Sequence, residues 1–182
     1  MAGNWQFNSS TLGSTFATGI STVFFDGVDQ SILSLETQPF YAVVMQGSGN
    51  KTLTANFSAT NDMTVESGAT FNTGNFTADI AGNLSNAGIV NAGSGGIGSM
   101  DINGNLDNTG TLVSNANIFV AGNWNNTNTY TPNTYLVTLD GNTTQSITGG
   151  NFYDLTMSGG GARILLSALD VNHDLTIESG IS

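Results

Sequence analysis

The chain has 182 residues, with 13 acidic and 2 basic side chains and a formal net charge of −11. Nearly half of it is Gly, Thr, Asn or Ser, with 24, 24, 23 and 18 copies respectively. Apolar residues still make up 38% of the chain, which is too much for a disordered polar tract. Two cations cannot neutralise a nucleic-acid backbone or hold an anionic membrane surface, so we expect neither partner.

The first residues carry no targeting signal. Met1 is followed by Ala2-Gly3-Asn4-Trp5 instead of a basic and then apolar segment. Because Gly-Asn-Trp recurs at positions 122–124, we expect Met1 to be a start placed inside a longer protein, with any secretion signal outside this chain. Cysteine is absent, which excludes disulfides and thiolate metal sites. The longest apolar run, at positions 40–45, is far shorter than the roughly 20 residues of a membrane helix.

Short alternating segments predict strands in the next part of the chain. Ala42-Val43-Val44-Met45, Thr52-Leu53-Thr54 and Asp62-Met63-Thr64-Val65 are each about strand length, and the last two alternate apolar residues with Thr. Clusters such as Gly47-Ser48-Gly49-Asn50 separate them and predict turns. The third segment matches the first at a shift of 20. We expect almost no helix.

The middle of the chain repeats one motif three times. Ile80-Ala81-Gly82-Asn83-Leu84 recurs at positions 102–106 and again at 120–124, with steps of 22 and 18. If the repeats stack, Asn83, Asn105 and Asn123 lie above one another and their side-chain amides form a hydrogen-bonded ladder. The glycine before each asparagine predicts a left-handed backbone conformation at the corner.

The last third repeats the first. The segment 40–68 matches the segment 152–180 without a gap at a shift of 112, and 11 of the 29 positions are identical. Gly3-Asn4-Trp5 also matches Gly122-Asn123-Trp124, at a shift of 119. We assign residues 1–182 to a single domain in which 3–68 is repeated as 122–180 and positions 69–121 are intervening coils.

Short strands on a period near 20 predict a parallel β-solenoid. One coil cannot bury its own apolar face, but stacked coils build a continuous core. The repeat period predicts about 20 residues per coil, and a chain of 182 residues then has roughly nine coils. A β-sandwich also has many short strands, but it does not predict this period or asparagine at matching corners.

The segment 122–180 resembles repeats of very large secreted bacterial surface proteins. Its marks are Gly-Asn-Trp, the Thr131-Pro132 turn, the run 137–141, the run 145–150 and Phe152-Tyr153-Asp154-Leu155. More loosely, the chain is similar to the β-helical shafts of filamentous haemagglutinins and autotransporter passengers. The resemblance implies a right-handed parallel β-helix, extracellular or cell-surface display and a role in adhesion or matrix. The Asn-Pro-Asn-Gly signature of two-partner secretion domains is absent.

The charged residues predict structural roles. Lys51 and Arg163 occupy one position of the long repeat. Glu66 and Glu178 occupy another position, 15 residues later. We predict turn ion pairs between them, each stabilising the fold by ~0–1 kcal/mol. The sole histidine, His173, falls at a corner, and most aspartates read as turn residues. We therefore expect no catalytic, metal or cofactor site and no enzyme activity.

These observations favour a structural or adhesive shaft segment of an extracellular bacterial surface or matrix protein. Neither end of the chain shows a polar cap, so neighbouring coils of the same or another copy are the expected partners, in head-to-tail filaments. Glycans or host surfaces are the other partners we consider. The alternative function is a glycan- or ice-binding module, and a polysaccharide-active enzyme is a distant third.

Overall fold

The computed structural model describes residues 2–6, 19–33 and 39–182, and within these ranges the chain forms 24 strands and no helix. In chain order the strands are β1 (Trp5–Gln6), β2 (Thr22–Phe25), β3 (Gln30–Leu33), β4 (Ala42–Met45), β5 (Gly49–Leu53), β6 (Phe57–Ala59), β7 (Met63–Val65), β8 (Ala69–Asn72), β9 (Thr77–Ile80), β10 (Leu84–Asn86), β11 (Ile89–Ala92), β12 (Ser99–Ile102), β13 (Leu106–Asn108), β14 (Thr111–Ser114), β15 (Asn117–Val120), β16 (Trp124–Asn126), β17 (Thr129–Thr131), β18 (Leu136–Leu139), β19 (Gln145–Thr148), β20 (Gly150–Phe152), β21 (Asp154–Met157), β22 (Arg163–Leu165), β23 (Leu169–Val171) and β24 (Leu175–Ile177).

The strands form three parallel sheets that surround one core. Sheet A has the order β1-β3-β5-β8-β11-β14-β17, sheet B the order β2-β4-β7-β10-β13-β16-β19-β22, and sheet C the order β6-β9-β12-β15-β18-β21-β24. Strands β20 and β23 form a separate parallel pair. The chain visits the sheets in turn, so each circuit is one coil. The predicted right-handed parallel β-helix is confirmed, with about eight turns instead of nine.

The strand register confirms the coil lengths predicted from the middle motif. Leu84 pairs with Leu106, and Leu106 pairs with Trp124, which reproduces the two steps seen in the sequence. The next partner in the sheet is Ile147, so the coil that begins at Trp124 is longer than the one before it. Because each strand keeps its place in the sheet, the turns between sheets absorb the difference in length.

Alternate side chains of each strand point into the core. In β4, β12 and β14 every second residue is buried, which is the pattern of a strand with one solvated face. Two aromatic clusters lie in this core at positions related by the long repeat. Trp5 packs edge-on against Phe40 with ring centroids 5.5 Å apart, and Trp124 packs against Phe152 at 5.0 Å. Each buried large apolar side chain stabilises the fold by about 1.5–3 kcal/mol.

Equivalent strands of the two copies of the long repeat lie on different sheets. Starting from Val43 in sheet B, five successive pairings along that sheet lead to Ile147. Leu155, the counterpart of Val43 in the second copy, lies beyond Ile147 in sheet C instead. The repeat therefore ends about one third of a coil short of six full coils. The predicted first copy, 3–68, includes positions 7–18 and 34–38, which lie outside the described ranges.

The glycines of the middle motif differ from the prediction. Gly82, Gly104 and Gly122 do not have the left-handed backbone conformation expected at these corners. Instead, a Cβ atom on Gly104 would lie 2.5 Å from the carbonyl oxygen of Gly82 in the coil before it. Glycine is required here because successive coils pack backbone against backbone, leaving no space for a side chain.

Candidate functional site

The last coil leaves the core of the solenoid open. We define the end face as the apolar surface around β22, β23 and β24, each of which has a strand neighbour on one side only. It surrounds a cavity of about 330 Å³. The cavity is lined by Met157, Arg163, Leu165, Leu169, Leu175, Ile177, Ile181 and Ser182.

Residues of the end face are exposed although they occupy core positions. Leu175 and Ile177 are 48% and 59% exposed. Their partners one coil earlier in sheet C, Leu155 and Met157, are only 0% and 4% exposed. The sequence of the last coil therefore continues the inward apolar pattern of the coil before it.

The structure stacks the three predicted ladder asparagines in one column, but the bonds differ from those expected. The Oδ1 of Asn83 accepts the main-chain N–H of Asn105 at 2.8 Å, and the Oδ1 of Asn105 accepts that of Asn123 at the same distance. Asp62 begins the column, and Ser146 ends it. The side chains thus satisfy backbone donors of the next coil instead of bonding to each other.

A second column, which the sequence analysis missed, is the buried amide ladder. Asn86 Nδ2 donates to Asn108 Oδ1 at 2.7 Å, and Asn108 Nδ2 donates to Asn126 Oδ1 at 2.6 Å. Asn86 and Asn108 are almost fully buried. The signal in the sequence was the asparagine that stands two residues after each of the aligned positions Leu84, Leu106 and Trp124.

Lys51 lies inside the solenoid and is fully buried. Its ammonium group donates to the carbonyl oxygen of Ser48 at 2.7 Å. Burial lowers the pKa of Lys51 below its usual value, and the carboxylates of Asp29 and Asp26 oppose that shift. This hydrogen bond ties the buried ammonium group to the backbone of the turn before β5 and stabilises that turn from the core side.

Arg163 makes the equivalent contact on a different sheet. Its Nη1 donates to the carbonyl oxygen of Gly160 at 2.7 Å, and Gly160 is the counterpart of Ser48 in the long repeat. The guanidinium group reaches several more main-chain carbonyl oxygens, those of Leu139, Gly141, Thr143, Ser158 and Gly161. The long repeat therefore carries one carbonyl-bonded cation in each copy.

The structure does not form the predicted turn ion pairs, although all four residues lie in the described ranges. Glu66 and Glu178 are exposed and make no ion pair with Lys51 or Arg163. The reason is the direction of the side chains, because both cations point inward and both glutamates lie in turns that face solvent. The shared repeat positions indicated a common environment but not the partner.

Two carboxylates that the sequence analysis did not single out line a groove on the outer face of sheet C. The groove holds about 460 Å³. Asp79 pairs with Asp101 in register, and Asp101 pairs with Phe119, so all three side chains stand in one outward column. Burial raises the pKa of Asp101, and the carboxylates of Asp140 and Asp79 add to the shift. The matching Asp-Ile dipeptides at 79–80 and 101–102 were the available signal.

His173 lies at the predicted corner, between β23 and β24. Its Nδ1 is 2.7 Å from Asp154 Oδ1 and 3.4 Å from Asp174 Oδ2. The ring stacks on Tyr153 with centroids 4.9 Å apart and planes 12° from parallel. The hydrogen bond to Asp154 is the main cause that raises the pKa of His173, followed by the charge of Asp174.

These features define a repetitive β-solenoid with an open end, a polar groove and several stacked polar columns. Comparison with protein-family models, with curated proteins and with solved structures finds no match. In the described ranges, no helix has the length and apolar character needed to cross a bilayer.

Proposed function

We propose that the protein is a structural shaft that extends by adding a parallel coil to its end face. The observation that carries this proposal is the exposure of core positions such as Leu175 and Ile177. A further coil would bury these side chains and pair the open edges of β23 and β24. Exposed strand edges of this kind readily pair with another chain.

A second copy of the same chain is the partner we propose for the end face. The first coil carries Gly3-Asn4-Trp5, the counterpart of Gly122-Asn123-Trp124. Within the molecule, Trp124 packs in register with Leu106 of the coil before it. The first coil of a second copy therefore has the residue types that stack on a coil, which favours a head-to-tail contact.

The setting we propose is the outside of a bacterial cell, as a shaft or adhesive segment of a surface or matrix protein. The resemblance of the segment 122–180 to repeats of secreted surface proteins supports it.

Light scattering across a concentration series, combined with electron microscopy, tests head-to-tail stacking. We expect the wild type to form rods that lengthen with concentration. Leu175→Lys places a charge on the end face and should leave single short rods. Ile97→Lys is the matched control, because Ile97 is 56% exposed on a turn away from the end face. Monomeric wild-type protein at high concentration, or equal loss of stacking in both variants, would overturn the proposal.

Glycan binding is the second candidate function, and the groove of sheet C favours it. Asp79 and Asp101 offer hydrogen-bond acceptors for sugar hydroxyls, and Phe119 offers an apolar ring beside them. The net charge of −11 disfavours anionic glycans, so neutral or amino sugars are the class to test. The outward column of aspartate and phenylalanine is not the regular threonine array that ice binding requires.

Calorimetry with neutral and amino oligosaccharides tests the groove. We expect Phe119→Ala and Asp101→Asn to weaken binding at least tenfold, while Asp107→Asn on sheet B leaves it unchanged. An affinity equal to that of the wild type in all three variants would exclude the groove as the binding site.

A further inference from the structure

The corner that holds His173 differs between the two copies of the long repeat. Position 154 is Asp in the second copy and Ala42 in the first, and position 173 is His in the second and Asn61 in the first. Asp174 matches Asp62. The second copy has thus gained two metal-ligating side chains beside an aspartate that both copies share.

The backbone at this corner is the same in both copies. The N–H of Asn61 donates to the carbonyl oxygen of Tyr41 at 2.8 Å, and the N–H of His173 donates to that of Tyr153 at 2.9 Å. The turn therefore forms equally well without histidine. His173 is therefore an addition to this corner, whereas Asp154 also accepts the main-chain N–H of Asp174 at 3.0 Å, a hydrogen bond that Ala42 cannot make in the first copy.

We propose that Asp154, His173 and Asp174 form a binding site for a divalent metal ion of borderline softness, with Zn²⁺ as the matching ion. One ligand atom from each residue lies within 4.8 Å of the other two. An imidazole nitrogen with two carboxylate oxygens suits Zn²⁺ and similar first-row ions better than Ca²⁺ or Mg²⁺, which prefer oxygen alone.

The distances fit shared coordination of one ion. Two ligand atoms about 2.0–2.2 Å from a tetrahedral Zn²⁺ are about 3.3 Å apart, and His173 Nδ1 is 3.4 Å from Asp174 Oδ2. Nδ1 and Asp154 Oδ1 are 2.7 Å apart, so the carboxylate must rotate on ion binding, and Oδ1 then gives up the hydrogen bond that it accepts from the main-chain N–H of Asp174 at 3.0 Å. A metal ion on Nδ1 requires the neutral ring with its proton on Nε2, so a proton held on Nδ1 is released to solvent on binding.

The surroundings of the cluster also suit a cation. The stacked ring of Tyr153 holds the imidazole in one orientation, so little conformational entropy is lost on binding. The His173 side chain is 53% exposed, which lets water complete the coordination sphere. The strongly negative chain attracts divalent cations to its surface. The proposal does not depend on the function proposed for the end face.

Calorimetric titration of the full chain with ZnCl₂, without a histidine tag, tests the site. We expect saturable binding of one ion per chain, with a shift of the ring signals of His173, the sole histidine, in NMR spectra. His173→Asn, which restores the residue of the first copy, should abolish the saturable binding. Asp154→Ala, also a first-copy residue, should weaken it at least tenfold.

Asp107→Asn is the matched control, because it removes a carboxylate on sheet B, outside the cluster. It should bind Zn²⁺ like the wild type, and excess Mg²⁺ should not displace the ion. Unsaturable binding to the wild type, or saturable binding of equal strength to His173→Asn, would overturn the proposal. Circular dichroism of each variant establishes that the fold is retained.

Discussion

A side-chain amide inside a β-solenoid can bond to the coil below and the coil above at once. Asn108 does so, since its Oδ1 accepts from Asn86 while its Nδ2 donates to Asn126 and to the carbonyl oxygen of Thr129. The sequence pattern did not predict this ladder because asparagine is typical of turns. Lys51 was misjudged for a similar reason, because lysine is almost never fully buried.

Asn108→Ala tests the buried amide ladder. The change leaves amide and carbonyl groups of two neighbouring coils without partners, which should cost about 3 kcal/mol of unfolding free energy. For a chain of this length the melting temperature should fall by roughly 6–12 °C. Asn105→Ala, in the half-exposed column, should cost less than about 1 kcal/mol. Equal melting temperatures for the two variants would contradict the assigned role of the ladder.

For strands and turns, the sequence predicts which residues pair between coils better than it predicts backbone conformation or the direction of a strand around the axis. The spacing of the aligned Gly-Asn motifs places Leu84, Leu106 and Trp124 in register. The conformation of Gly104 was not predictable in the same way, because a backbone dihedral depends on how closely the previous coil approaches. The rotation between repeat copies was also missed, because an alignment gives the order of residues and not their direction around an axis.

Gly104→Ala tests the close approach of successive coils. The added Cβ would lie 2.5 Å from the Gly82 oxygen and 2.6 Å from its carbonyl carbon, so the coils must separate. We expect a loss of about 1–3 kcal/mol, measured by chemical denaturation. Gly160→Ala is the control, because its Cβ would come no closer than 3.5 Å to the backbone of the neighbouring coil. A loss as large in the control would mean that glycine flexibility, and not space, matters here.

Across the whole molecule, the net negative charge opposes association of two copies, and the apolar end face favours it. The two cations, Lys51 and Arg163, lie inward, so the acidic side chains dominate the surface. If two copies meet head to tail as proposed, their net negative charges repel each other, and burial of the apolar end face has to outweigh that repulsion. Salt screens this repulsion, with a Debye length of about 10 Å at 0.1 M.

Salt should consequently promote stacking. We expect the average mass measured by light scattering to rise when sodium chloride is raised from about 0.02 M to about 0.5 M. The variant Leu175→Lys should show a much smaller rise. A mass that falls with salt would indicate association through ion pairs, contrary to the apolar contact proposed here.

The long repeat is one third of a coil shorter than six coils. The second copy is therefore rotated by about a third of a turn around the solenoid axis relative to the first. Leu155 and Val43 lie on different sheets, so a side chain present once per repeat points about a third of a turn away from its counterpart. Three repeats, or about seventeen coils, complete the rotation over about 82 Å at the usual strand spacing. An array of such units would present each unit's surface on every side of the rod in succession, so that no orientation of the rod hides it from a neighbouring surface.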